Sequence, residues 1–204
     1  MDAAEWDARY RAQELVWSAE PNRFLVEETA SLAPGTALDV ASGEGRNAIW
    51  LAEQGWTVVG FDFSSVACEK ATNLARDRGV AFVPHVADVT TCRMGENEFD
   101  LALVFYLQLA AADLRKAISG AARSLVEGGT ILVVAHDISN LDGGWGGPQD
   151  RTVLYHAQDV VSDLPAGCRV IKAQRVERLV DTQDGPRTAY DLLVRARMEP
   201  TSTG

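Results

Sequence analysis

Cysteine, histidine and basic charge are all scarce in this chain, and each shortage closes off a class of function. Its three cysteines, Cys68, Cys92 and Cys168, are odd in number and far apart, form no CxxC pair, and have only His85, His136 and His156 for company. That pattern builds neither a disulfide framework nor a structural zinc site, so no metal is expected and a reducing, cytoplasmic setting fits. The 19 Lys and Arg against 29 Asp and Glu leave a formal charge of −10, the wrong sign for general attraction to nucleic acid or to anionic membrane. Long apolar runs are missing too. Strongly hydrophobic stretches such as Thr130 to Ala135 are strand-sized, and Met1 to Tyr10 carries two Asp and a Glu where a signal peptide is basic and then apolar. Neither a membrane span nor a leader is expected. Without repeats or low-complexity tracts, 204 residues at 47% hydrophobic describe one ordinary domain with a substantial core.

What is present is an alternation. From Thr36, TALDVA has the composition of a buried strand, Asn47 to Gln54 that of a helix, and WTVVGFD that of a second strand. Ser64 is placed to cap a helix over Val66 to Arg78, and Gly79 stands where a helix-ending glycine belongs, before the third apolar run VAFVPHVAD. FDLALVFY is the fourth strand, Ala112 to Leu125 an amphipathic helix, and EGGTILVVAHD the fifth strand after a Gly-Gly turn. Alternation with short connections predicts an α/β fold with a parallel, doubly wound sheet. Near the C-terminus the grammar changes: CRVIKAQRVERLV and RTAYDLLVRAR flank the turn-rich DTQDGP and read as an antiparallel hairpin at the sheet edge. Upstream, Ala3 to Leu15 and Pro21 to Ala33 look helical, with Pro21 in the first turn and Pro34-Gly35 as the stop; the tail from Pro200 to Gly204 looks frayed.

Chemistry concentrates at the strand ends. Leu38 to Ala48, LDVASGEGRNA, runs a buried strand into a glycine-bearing turn and a helix, where backbone can approach a ligand closely. Gly43, Gly45 and Ala48 satisfy a GxGxxA dinucleotide spacing, which a plain tight turn also satisfies. Asp39 and Glu44 would repel a pyrophosphate there and attract an amino group or a sulfonium. Asp62 ends the second strand at nearly the separation from Asp39 that places a carboxylate on ribose hydroxyls. Asp88 ends the third strand and can accept from an adenine amino group. Singly, Asp62 could cap the next helix and Asp88 a loop; together, three aspartates on the carboxyl edge of successive parallel strands mark a ligand site.

These segments resemble the class I S-adenosylmethionine-dependent methyltransferases over about residues 5 to 197. LDVASGEGR is similar to that family's first motif, an acid followed by three alternating glycines: Gly43 and Gly45 match, and Ala41 takes the first glycine's place. The resemblance implies a Rossmann-like, seven-stranded, mostly parallel sheet with an antiparallel C-terminal hairpin, and S-adenosylmethionine as cofactor. It implies Asp39 on the methionine amino group, directly or through water, with Arg46 and Asn47 opening the following helix beside the cofactor. Asp62 would hold the ribose, Asp88 and Val89 would frame the adenine, Phe63 would pack on its face, and Phe105 and Tyr106 would pass under the methionine portion. More narrowly, GEGRNAIWLAEQGWTVVGFDFS and WDARYRAQELVWSAEPNRFL resemble small bacterial methyltransferases of the tellurite-resistance and thiopurine group, whose N-terminal aromatic segment folds over the cofactor. The resemblance would give Trp17 that role. The tellurite branch carries a His-Arg pair in the C-terminal hairpin where this chain reads Glu177-Arg178, with Arg187 further on, so the resemblance does not extend to chalcogen-oxyanion chemistry. The expected organisation is one domain: a helical cap or lid over 1–34, a cofactor-binding core over 35–137, a Gly-rich acceptor loop over 138–156, and a C-terminal helix with the hairpin over 157–199.

Methyl transfer from a sulfonium needs alignment and water exclusion more than it needs a base. For a protic acceptor, His136 and Asp137 at the end of the fifth strand are the candidate base and its orienting partner, although a lone His there is as often a structural residue. The stretch Asn140 to Pro148, NLDGGWGGP, has the backbone freedom to move and, in Trp145, a ring to cover an apolar acceptor beside Tyr106; a plain surface loop is the alternative. The expected partner is a small-molecule acceptor offering O, S or N, with no nucleic acid and no membrane, and the sequence sets no oligomeric state. Two rivals stand. A reductase using NAD(P) on the GxGxxA turn is disfavoured by the acidic turn and because Tyr106, Tyr155 and Tyr190 lack a lysine four residues on. A cofactor-binding regulatory protein without turnover is disfavoured by His136 and Trp145 on the acceptor side.

Overall fold

Apolar runs flanked by turn residues become strands here, the central ones covered on both faces and the two edge strands largely exposed. The computed structural model describes residues 2–200, so the tail from residue 201 on lies outside the described residues. The chain begins with α1 (Ala3–Arg11) and α2 (Arg23–Thr29) and then alternates through β1 (Thr36–Val40), α3 (Arg46–Glu53), β2 (Thr57–Asp62), α4 (Ser65–Asp77), β3 (Phe82–Val86), β4 (Phe99–Phe105), α5 (Ala111–Arg123) and β5 (Leu125–His136). It closes with α6 (Ala157–Asp163), β6 (Cys168–Val180) and β7 (Arg187–Met198). The seven strands lie in the order β3-β2-β1-β4-β5-β7-β6. The first five pair in parallel, and β7 enters antiparallel between β5 and β6.

Side chains alternate across this sheet with the period of two that extended backbone imposes. Leu38, Val40, Ala102, Val104, Ile131 and Val133 face one way, into a core completed by Leu114, Ile118 and Ala121 of α5 and Val160 of α6. Ala37, Leu101, Leu103, Leu132 and Val134 face the other way, onto Phe24 and Leu25 of α2, Ile49 and Leu51 of α3 and Ala71 and Ala75 of α4. With helices on both faces, the carboxyl edge of the parallel strands is the open end. No helix among the described residues is long and apolar enough to cross a membrane.

Three local expectations are corrected. The first helix ends at Arg11, short of Leu15, because the ammonium of Lys70 on α4 takes the carbonyls of Tyr10, Gln13 and Glu14 out of helical pairing. The second helix starts after Asn22, whose side chain accepts from Phe24 N–H at 2.9 Å, so Pro21 precedes the cap instead of occupying the first turn. Gly128 and Gly129 lie within β5 as an irregularity, where the register with β4 jumps from Phe99 opposite Leu125 to Leu101 opposite Thr130.

The N-terminal segment is strapped over the carboxyl edge from two sides. Asp7 sits against the start of α4, accepting from Ser64 Oγ (2.5 Å), Ser65 Oγ (3.3 Å) and Val66 N–H (3.3 Å), and the Ser64 bond leads the contacts that hold its carboxyl below the usual range. Buried Glu44 accepts from Val16 N–H (2.9 Å) and Trp17 N–H (3.3 Å) and pairs with Lys70 at 3.1 Å. Lys70 thus grips both the end of α1 and the acid beneath it. Lys70→Met should leave the sheet intact but cost about 1–3 kcal/mol, the scale of a charged hydrogen bond lost from a buried partner. Hydrogen exchange followed by mass spectrometry should show peptides over residues 8–17 losing protection selectively; unchanged protection there would mean that the strap is held by other contacts.

Candidate functional site

The turn leaving β1 bends through three alternating left-handed positions, Ala41 (φ 59°), Gly43 (φ 55°) and Gly45 (φ 82°). Glycine takes these angles freely, whereas Ala41 carries a β-carbon into the same region. The turn is tied to the next strand by Asp62, whose Oδ2 accepts from Gly43 N–H (2.8 Å) and whose Oδ1 accepts from Ser64 N–H (2.9 Å). Ser64 itself caps α4 through Ala67 N–H (3.1 Å), so Asp62 is not the helix cap. Burial pushes the Asp62 carboxyl above its usual range, against the pull of those two N–H groups.

Asp39 is only 2% exposed, and its Oδ2 makes no hydrogen bond. Burial, and then the charge of Asp62, push its carboxyl up to about 7; Arg46 and the Ala48 N–H act in the other direction. An acid in that condition is held ready for a cation or donor from outside the chain. Arg46, half-buried, stands close enough to Asp39 and Tyr106 to feel both, and Asn47 accepts from Asn22 N–H at 2.9 Å, fixing the start of α2. Tyr10 is buried, with its hydroxyl over Gly43, 3.1 Å from where a β-carbon would lie.

Glu44 departs from expectation. Its charge is spent on Lys70 and the backbone N–H groups of Val16 and Trp17, so the negative field at the turn comes from Asp39 and Asp62. Asp88 stands two residues beyond β3, exposed, with Oδ1 accepting from Thr90 N–H (2.8 Å) and Oγ1 (2.7 Å). Val89 is in the core beside it and Phe63 is half-buried next to Asp62. Phe105 is buried, and the Trp17 ring is exposed beneath the Arg9 guanidinium, 5.3 Å from its centroid. No group of three or more His, Cys, Asp or Glu side chains among the described residues is placed to hold a metal. Burial pushes the Cys68 thiol up to about 11, away from nucleophilic use.

On the other half of the edge, Asp137 does not orient His136. Neighbours in a strand face opposite ways, and Asp137 caps the 3₁₀ turn Ile138–Asp142, accepting from Ser139 N–H (2.9 Å) and Oγ (2.6 Å), with His156 Nδ1 at 3.5 Å. The partner of His136 is Asp191, directly opposite on β7, with Nδ1 and Oδ1 3.1 Å apart though without in-line hydrogen-bond geometry. Asp191 is fully buried, and its Oδ2 accepts from Tyr106 Oη (2.8 Å) and Arg178 Nε (2.7 Å). Burial opposes ionisation, but the contacts with His136 and Arg178 hold its carboxyl below the usual range. Tyr106 adopts φ 52°, accepts from Asn22 Nδ2 (3.3 Å) and sets its ring 4.9 Å from that of His136.

The Gly-rich loop is stapled, not free. Buried Asn140 donates to Gly146 O (2.8 Å) and accepts from Tyr190 N–H (2.8 Å), and Trp145 N–H donates to Thr188 O (2.9 Å). Gly147 lies against the His136 ring, where a β-carbon would fall 3.1 Å from Nδ1. The Trp145 ring is exposed and takes the Arg187 guanidinium at 5.5 Å. The structure therefore gathers His136, Tyr106 and the loop backbone, adds Asp191 and Arg178, and leaves Asp137 outside the cluster. Asp191 was detectable as a lone charge inside the apolar run YDLLV.

A family profile described as a methyltransferase domain matches residues 37–129. An uncharacterized protein of Mycobacterium tuberculosis is 26% identical over 177 residues, covering 86% of this chain and 63% of that protein. The chain thus spans just under two thirds of that relative's length. An uncharacterized methyltransferase of Synechocystis sp. is 36% identical over 118 residues, or 55% of this chain and 53% of that protein. The N-methyltransferase NodS from Bradyrhizobium japonicum, solved with S-adenosyl-L-homocysteine, matches with a TM-score of 0.73 and 19% identity over 98% of this chain and 100% of that one, a likeness of fold.

Asp39 makes a pH-dependent prediction. Its folded carboxyl holds a proton up to about 7, while the unfolded one releases it near 3.9, so the ligand-free fold loses stability as pH rises between those values. Asp39→Asn should therefore raise the melting temperature at pH 8 more than at pH 5, and equal gains at both would refute the raised value. Ala41→Gly relieves a left-handed β-carbon and should gain about 0.5–1 kcal/mol by urea unfolding after the entropy of the freer unfolded chain is subtracted.

Proposed function

We propose that the chain is a class I S-adenosylmethionine-dependent methyltransferase, a reading that the methyltransferase-domain match and the likeness of fold support, and that it methylates a small, largely apolar or aromatic acceptor at O, S or N. The observation that carries this reading is the buried, unbonded carboxylate oxygen of Asp39 beside a second buried acid, at the open edge of a parallel sheet. S-adenosylmethionine fits there: its amino group and sulfonium bring the positive charge that the two acids lack, and when bound it supplies a methyl group on a positively charged sulfur. Asp39 takes the amino group, Asp62 uses its remaining lone pairs on the ribose hydroxyls, and Arg46 beside Asp39 meets the carboxylate. The free oxygen of Asp88, with Val89 and Phe63, receives the adenine. Asn47 holds the start of α2 in place, and Trp17 with Tyr10 covers the turn.

Phe105, Tyr106, His136 and Trp145 line the acceptor side in this reading. The net charge of −10 disfavours a polyanionic acceptor, and the acids at the turn disfavour a pyrophosphate cofactor. His136 set 3.1 Å from the buried Asp191 carboxylate favours turnover over a purely regulatory, cofactor-binding role.

Calorimetry with S-adenosylhomocysteine, S-adenosylmethionine and NADPH in parallel tests the reading. The adenosyl ligands should bind and NADPH should not, with Asp62→Ala weakening S-adenosylhomocysteine by about 1.5–3 kcal/mol; tight NADPH binding without an adenosyl response would reverse the assignment. Phenols, thiols, quinols and heteroaromatic amines should then be screened for S-adenosylhomocysteine release. At least one should turn over, more slowly in Trp145→Ala at unchanged cofactor affinity, and activity confined to RNA, DNA or protein would refute a small acceptor.

A further inference from the structure

We infer that Asp191, clamped by Arg178 and Tyr106, fixes His136 as the base for an acceptor that must lose a proton, such as a phenol, thiol or amine, and not for a thioether, which has none to lose. This deepens the proposed function and rests on it for the identity of the reaction. The antiparallel register of β5 with β7 sets His136 and Asp191 opposite each other, 3.1 Å apart from Nδ1 to Oδ1. The other carboxylate oxygen is held by two donors from two further strands, Tyr106 Oη of the segment leaving β4 and Arg178 Nε of β6. A carboxylate bonded on one side by a guanidinium and a phenol can neither turn away nor readily take up a proton.

The consequence falls on the imidazole. An ionised carboxylate offers only acceptor sites, so the ring nitrogen facing it must carry the hydrogen, and in the neutral ring the lone pair is then on Nε2. Gly147 packs against the Nδ1, Cγ and Cδ2 side of the ring and Tyr106 lies tilted beside it, while no hydrogen bond among the described residues uses Nε2. The balanced step is simple. A lone pair of the acceptor heteroatom bonds to the methyl carbon as the carbon–sulfur bond breaks, its electron pair stays on the sulfur, and the acceptor's proton passes to Nε2. The imidazolium so formed faces Asp191. In this scheme His136 is catalytic and Asp191 is a positioning residue, acting through the ring. A buried carboxylate–guanidinium pair is an expensive way to stabilise a fold, which is reason to look for its use at the adjacent histidine.

Nitrogen-15 spectra of the imidazoles test this without any substrate. Only three histidines are present, and His136→Gln identifies the signals of interest. In the wild type at alkaline pH, neutral His136 should be the Nδ1–H tautomer, and Asp191→Asn should shift it toward the Nε2–H tautomer that free imidazole prefers. A wild-type Nε2–H tautomer overturns the proposal, and this arm stands even if Asp191→Asn fails to fold. With a turning-over protic acceptor, Asp191→Asn should lower kcat by about 10²-fold or more while S-adenosylhomocysteine affinity stays within about threefold. Full turnover in Asp191→Asn, or loss confined to cofactor affinity, overturns it as well. A wild type that binds no adenosyl ligand would instead sink the proposed function, with the tautomer still deciding the role of Asp191.

Discussion

A single buried carboxylate, Asp62, joins the turn after β1 to the turn after β2, and the open edge of the sheet takes its shape from that junction. One oxygen holds Gly43 and the other holds Ser64; Ser64 caps α4 and donates to Asp7, which brings down α1; α4 returns Lys70 to the end of α1 and to Glu44. The loop is closed: turn, strand end, helix cap and N-terminal segment each fix the next. Because the linking groups are side chains on rigid elements, a ligand at this edge meets a surface already ordered, which limits the entropy it must give up on binding.

The same edge is where the fold tolerates discomfort. Asp39 is buried without a partner for one oxygen, and Ala41 and Tyr106 hold left-handed backbone with side chains that do not favour it. Each costs free energy that a sequence selected for stability alone would recover by an amide, a glycine or a relaxed turn. Concentrated at the carboxyl ends of β1 and β4, these costs coincide with the position where an open parallel sheet takes its ligands.

The centre of the sheet was legible because β1, β4 and most of β5 are buried on both faces and so read as apolar runs with turn residues between them. Lid details were not, since α1 stops where a lysine 60 positions away on α4 captures its carbonyls, a tertiary event that local propensity does not register. The three strand-end aspartates could be picked out by spacing, and the structure sets Asp39 and Asp62 together while Asp88 stands out on an exposed turn. Asp137 misled for a geometric reason: the residue next to His136 in sequence is the one that strand geometry turns away from it. Asp191 became its partner only through β5–β7 register, and Arg178 through β6, neither of which sequence spacing specifies. Likewise the glycines between Asp142 and Pro148 suggested freedom, and one buried asparagine removes it.

The late insertion of β7 between β5 and β6 bears on the order in which the two halves of the edge come into being. During synthesis the acids and turns on β1 and β2 are available to pair as soon as the first two strand–helix units have emerged, whereas His136 waits through the loop, α6 and β6 before Asp191 arrives opposite it. One half is local in the chain and the other is assembled from distant pieces. Exchange of the C-terminal hairpin between relatives would therefore replace the carboxylate and the guanidinium behind His136 while leaving every residue of the β1 and β2 turns untouched, so the two halves of the edge can vary separately.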